Sequence, residues 1–396
     1  GCESCHGPGS LHSAAQGLKK GAAGEEDSTI VNPGRLPRDR LEPICAVCHL
    51  SGTAVVLVRG RHETDFRPGM PLTDYRIDYH LDSAGEQMTV VGHMQQLRLS
   101  PCYQKSEMSC LTCHDPHARE KPRDPVAFYR QQCLNCHESR GCSVPVADRR
   151  KKEPADNCSA CHMPRGDTDI PHVAFTHHRI GKHSPRSLVP DRDGAPELFP
   201  AEDVSHFPPL ERQRNLGIAY FRLSKSEVPG TTRYVALFSE RAQKLLDGVY
   251  TAGLRDGMTV AALAESEWRS DPARAADYAR EALTAPDLSA ESRARALIVL
   301  ADYHLREHDF PAAIGVLEQL VRMRRFTEDW QLLGAAYLSD RQSEKAANAF
   351  RQALAIRPTR PDLHRALTAA YFQLGDQVKA QEHRQKAEWL YRNRQD

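Results

Sequence analysis

Residues 110–117 read Cys110-Leu111-Thr112-Cys113-His114-Asp115-Pro116-His117. Two thiols three positions apart, followed at once by His, form the attachment signature of a c-type haem. The sulfurs add across the porphyrin vinyl groups, and the adjacent imidazole ligates the iron from the proximal side. The same pattern recurs as Cys2-Cys5-His6, Cys45-Cys48-His49, Cys133-Cys136-His137 and Cys158-Cys161-His162, so five copies use ten of the twelve cysteines. Zinc knuckles and iron–sulfur runs give no reason for His to occupy the next position every time. The expectation is at least five covalently attached haem c groups, with His6, His49, His114, His137 and His162 as proximal ligands.

Closing the opposite face of each iron requires further donors, and histidines outside the motifs supply them. His12 follows a Gly7-Pro8-Gly9 turn, and Pro116 redirects the chain just before His117. His93 lies in the apolar stretch 89–94, where an unpaired ring is costly. One or two distal ligands are expected among His172, His177 and His178, and His62 is a further candidate. His80 and His183 read as surface or hydrogen-bonding residues. Met70, Met88, Met94, Met108 and Met163 are the axial alternatives. Cys102 and Cys142, the two cysteines outside the motifs, are expected to form a disulfide, which together with haem attachment points to a periplasmic or extracellular location.

The chain has 396 residues and a formal net charge of +1 before any cofactor is counted. Its length suits two or three domains. No apolar run reaches membrane-spanning length, and Thr53–Val58 is only strand-sized. The basic run Arg149-Arg150-Lys151-Lys152 is short and lacks interleaved aromatics, so it suits haem propionates and gives no case for nucleic acid. An opening at Gly1-Cys2, already inside a motif, predicts that a leader and further haems precede this sequence, which makes five a lower bound.

Apolar periodicity is poor through 1–183, and Gly and Pro recur. These residues read as a loop-rich multihaem cytochrome domain in which porphyrin discs replace a side-chain core. Residues 184–208, rich in Pro and charge, read as a linker or wrapping segment. From 209 to 396 the spacing becomes helical. Trp330, Leu333, Gly334, Tyr337, Ala346, Phe350, Ala353 and Pro358 fall at the positions of the tetratricopeptide pattern, with its period of about 34 residues. Leu367, Tyr371, Ala380 and Ala387 repeat it downstream, and Val299, Tyr303, Ala312 and Val316 upstream. Weaker copies contain Leu263, Trp268, Ala275, Ala282 and Leu283, and Leu216, Gly217 and Tyr220. The fold class is thus mostly α, with about five repeats stacked into an α-solenoid.

The phrases Cys2-Glu3-Ser4-Cys5-His6-Gly7-Pro8-Gly9-Ser10 with His12, Gly92-His93-Met94, Cys102-Tyr103 ahead of Cys110–His117, and Cys161-His162-Met163-Pro164 resemble multihaem cytochromes of the cytochrome c554-like type that carry C-terminal tetratricopeptide repeats. The resemblance implies bis-histidine haems in close pairs, with His12, His93 and His117 binding irons of neighbouring motifs. The expected function is electron transfer among redox protein partners, with self-assembly into an extracellular filament as one form of it. The alternatives are a multihaem reductase, its open iron served by Arg76, Tyr79, His80 or His177, and a redox-linked protein-binding module.

Overall fold

A computed structural model describes residues 1–18, 27–50, 52–81, 92–118, 122–138, 142–152, 155–166, 175–182, 195–228 and 231–393. The chain divides into two compact units: Gly1–Pro208 with Lys225–Tyr234, and Pro209–Ser224 with Val235–Asp396.

In the first unit the described helices are α1 (Glu3–His6), α2 (Ser10–Leu18), α3 (Arg38–His49), α4 (His93–Arg98), α5 (Pro101–Gln104), α6 (Pro125–His137), α7 (Val146–Arg150) and α8 (Cys158–His162). Haem motifs occupy the ends of α1, α3, α6 and α8, with the His as the last helical residue each time. The third motif instead takes a 3₁₀ turn over Cys110–Thr112. A helical turn puts residues i, i+3 and i+4 on one side, so both sulfurs and the imidazole face the same way.

A small antiparallel sheet braces these segments. Its strands are β1 (Ala54–Leu57), β2 (Arg76–Leu81) and β5 (Leu198–Pro200), in the order β1-β2-β5, with Ala54 opposite Tyr79 and Leu81 opposite Leu198. The stretch read as a linker therefore contributes an edge strand. The remaining pair, β3 (Arg165–Gly166) and β4 (Phe175–Thr176), is antiparallel and returns the chain to the fifth motif.

Arg76 connects the sheet to α3. Its guanidinium donates to the carbonyls of Ala46, Val47 and Leu50 and pairs with Asp78 at 2.8 Å. The orphan carbonyls at a helix C-terminus thereby acquire a cationic partner. Asp78 is fully buried and also accepts the Gly52 N–H at 3.1 Å.

The second unit is a solenoid of five consecutive helix pairs: α9 (Pro209–Ser224) with α10 (Val235–Thr251), α11 (Gly257–Glu267) with α12 (Pro272–Thr284), α13 (Ala290–Arg306) with α14 (Phe310–Met323), α15 (Thr327–Ser339) with α16 (Ser343–Ile356), and α17 (Pro361–Gln373) with α18 (Gln377–Arg392). Side-chain N-caps start many of them: Asp256, Asp271, Ser289, Asp309 and Asp376 each accept the backbone N–H three residues on. A buried Arg214–Asp256 pair at 2.6 Å ties α9 to the start of α11. Alanines such as Ala275, Ala336, Ala346 and Ala353 are fully buried and allow close helix crossing, while Phe350 and Leu333 fill the space between. Trp330 and Tyr337 line a cavity of about 400 Å³ together with Glu318, Lys345 and Asn348.

Close approach at Gly334 is obligatory, because a Cβ there would lie 2.5 Å from Phe350 Cε1. Gly334→Ala should therefore destabilise the solenoid by about 1–3 kcal/mol through overpacking, exceeding the helix-propensity gain of about 1 kcal/mol. Thermal unfolding followed by circular dichroism checks this, and a raised midpoint would contradict it.

Candidate haem-attachment site

The attachment cysteines are neighbours from one motif to the next. Burial pushes the Cys5 thiol up, and negative charge on Cys45 and Cys48 adds to the effect. Cys45 and Cys110 are hydrogen-bonded, which brings Cys45 down to about 7 and pushes Cys110 up. Burial, then the charges of Cys102 and Cys136, raise Cys113. Cys133 is pushed up to about 11 by burial and by its contact with Cys158. Cysteines of successive motifs therefore feel one another's charge.

Two side chains hold the second and third motifs together. Arg38, at the start of α3, donates to the carbonyls of Tyr103 and Ser106 at 3.1 and 2.7 Å and lies 4.5 Å from the Tyr103 ring centre. One turn later on α3, Glu42 accepts the Tyr103 hydroxyl at 2.6 Å. Both contacts fix the segment leading into Cys110.

The histidine rings show a recurrent arrangement in which Nδ1 is tied to an acceptor. His6 Nδ1 is 2.8 Å from the Val31 carbonyl, His162 Nδ1 3.0 Å from that of Gly181, and His178 Nδ1 2.9 Å from that of Thr176. His12 Nδ1 lies 2.7 Å from Asp27 Oδ2. Hydrogen bonds from Thr29, then Gln16 and His12, hold that carboxyl well below the usual range. A proton fixed on Nδ1 leaves the Nε2 lone pair for a metal, the second-shell pattern of ligating histidines. His177 has the opposite polarity, since its Nδ1 accepts the Arg179 N–H at 3.1 Å. Ser100, fully buried, fixes the backbone around His178 by donating to the His178 carbonyl and accepting the Ile180 N–H.

Proximal and spare histidines meet in pairs. Ring centres of His6 and His117 are 5.8 Å apart with planes at 24°, and those of His114 and His178 are 6.2 Å apart at 25°. His49 and His93 are 5.4 Å apart at 82°, with His178 4.6 Å from His93. With metal–imidazole bonds of about 2 Å, rings at these spacings would be able to hold one metal between them. Burial holds His93 at about 4 and also lowers His114 and His178, which keeps the rings neutral and fit to ligate. The helices offer haem an uncovered apolar surface: α1, α6, α7 and α8 contain no buried residue, and Phe128 and Val146 are exposed. Donor set and surface together fit haem c.

The other expected residues are placed differently. His62 is exposed, as is His137. His172, His183 and Met88 lie outside the described residues. Arg76 and Tyr79 are built into the sheet, and buried His80 contacts the Gln95 side chain at 2.7 Å and is held at about 4 by burial. Among the described residues, no three His, Cys, Asp or Glu side chains are grouped to hold a bare metal ion. The Cys102–Cys142 disulfide is not formed, and both are free thiols. Cys102 lies in α5, whereas Cys142 is exposed and accepts the Val144 N–H at 3.4 Å. Sequence reasoning missed the Nδ1 acceptors, most of them backbone carbonyls without a residue signature. It also missed Glu42 and Arg38, for which the only signal was a charge on the motif's own helix.

Residues 104–142 match the family model described as a doubled CXXCH motif, which spans the third and fourth attachment segments. The chain therefore carries a CXXCH haem-binding motif region, which is consistent with at least one covalently bound haem c. No curated protein matches the chain. Similar solved structures include MamA AMB-1, at 20% identity over 47% of this chain and 93% of that one, with a TM-score of 0.40. MamA MSR-1 gives 19% identity, coverage of 46% and 97%, and a TM-score of 0.39. MamA 41-end from Desulfovibrio magneticus RS-1 gives 21%, 45% and 98%, and 0.37.

The free state of Cys102 and Cys142 is testable by alkylation of the unreduced, denatured protein followed by peptide mapping. Both should carry the label, and a linked Cys102–Cys142 peptide would contradict the assignment.

Proposed function

We propose that this protein is an electron carrier in which five attachment segments hold a contiguous row of haem c groups, each closed by two imidazoles. The pairing of His6 with His117, His49 with His93 and His114 with His178, at spacings an iron can bridge, carries the reading. Haem c supplies a one-electron Fe(III)/Fe(II) couple when bound. The protein's own residues bind and orient. The cysteines tether, the anchored Nδ1 atoms fix which ring nitrogen is free, and the α3 contacts to Arg76 and Tyr103 hold the second and third segments in register.

His178 rather than His177 serves as the distal ligand at the third motif, because only its Nδ1 is committed to a carbonyl. Engagement of Arg76, Tyr79 and His80 in the fold favours a carrier over a reductase. The attachment motifs support a periplasmic or extracellular compartment. There the solenoid serves to bind a redox partner protein. No helix among the described residues is long and apolar enough to cross a membrane.

The intact mass of the loaded chain should exceed that of the polypeptide by five haems, and its spectrum should be low-spin throughout. His93→Ala, His117→Ala and His178→Ala should each convert one iron to a high-spin, ligand-accessible form, whereas His177→Ala should convert none. Electron paramagnetic resonance checks this, and an open iron in the unmodified protein would favour the reductase.

A further inference from the structure

Glu42 is a buried carboxylate with half of its hydrogen-bonding capacity unused. It stands on α3 one turn before Cys45 and is 4% exposed. Oε2 accepts the Tyr103 hydroxyl, while Oε1 is buried without a hydrogen-bond partner. Arg98 lies 4.0 Å from Oε2, but its closer partner is Glu202 at 2.6 Å. The charged and titratable groups acting on Glu42 are therefore Tyr103 from α5, Arg98 from α4, Arg38 from α3 and Glu202 beyond β5. Its own charge acts on Cys45 and Cys110.

An ionised carboxylate with one oxygen orphaned in the interior is costly. Tyr103, Arg98 and Arg38 pull toward ionisation and burial pushes the other way, with burial the largest effect, so Glu42 sits above the ordinary carboxylate range. With the two forms opposed in this way, a change of charge nearby selects between them. The nearby positions are Cys45 and Cys110, the tethers of the second and third motifs.

We propose that Glu42 is the proton-binding partner of electrons held at the second and third motifs. The inference rests on the electron-carrier reading. When a reduced one-electron donor protein delivers an electron, Glu42 takes one proton from water at its free oxygen. When the electron passes to an oxidised acceptor, the proton returns to water. One positive charge thus enters and leaves with each electron. Ionised Glu42 favours the oxidised iron and protonated Glu42 the reduced one, so the potential falls as pH rises through the carboxyl's titration.

Spectroelectrochemical titration of the haem-loaded full chain over a pH series, with reduced-minus-oxidised infrared spectra, tests this. The unmodified protein should show a pH-dependent potential at one or two irons and a protonated-carboxyl band gained on reduction. Glu42→Gln should lose both while retaining every haem by mass. Tyr103→Phe removes a donor that stabilises the carboxylate, so it should move the pH-dependent range upward and keep the band. That variant decides the matter if Glu42→Gln does not load. Persistence of slope and band in Glu42→Gln, or an unmoved range in Tyr103→Phe, overturns the role of Glu42. A purified chain without covalent, reducible haem overturns the carrier reading itself, and the absorption spectrum tells the two failures apart.

Discussion

Sulfur-to-sulfur proximity between successive motifs is the constraint on which the first unit depends. Cys5 senses Cys45, Cys45 bonds to Cys110, Cys113 senses Cys136, and Cys133 contacts Cys158. These sulfurs would carry the thioether links of attached haem, and on the electron-carrier reading a porphyrin tethered to one motif would neighbour the next. Short helices fit this arrangement. Each needs only the turn that aligns two cysteines and a histidine, and the chain then leaves through a loop to the following site.

The two units solve the problem of a core in different ways. In the solenoid, small residues let helices approach and Phe350, Leu317, Leu320 and Leu367 fill the interior, so the polypeptide supplies its own apolar core. In the first unit the buried set is concentrated around α3 and the three-stranded sheet, through Leu41, Ile44, Val56, Ile77 and Tyr79. Beyond it, α6 buries none of its residues despite containing Val126, Phe128 and Leu134. On the electron-carrier reading, porphyrin faces would cover such a helix.

Legibility in the sequence followed the range of each interaction. The attachment motifs depend on neighbours within a few residues and the solenoid on a repeat of about 34 residues, and both are legible. Strand β5 was not, because Leu198 pairs with Leu81 across more than a hundred positions and a three-residue strand has no period. The ring pairs are equally non-local: His117 as a spare ligand was expected, but only the fold joins it to His6. The choice between His177 and His178 depended on a backbone carbonyl, which no side-chain pattern encodes.

The central claim is that successive motifs carry adjacent haems in chain order. A density map of the haem-loaded protein tests it most directly. The account predicts five porphyrins in an unbroken row, with the first beside the second and so on to the fifth. The histidine pairs His6–His117, His49–His93 and His114–His178 should each flank one iron. A map in which polypeptide separates consecutive porphyrins, or in which those histidines flank no iron, would contradict it.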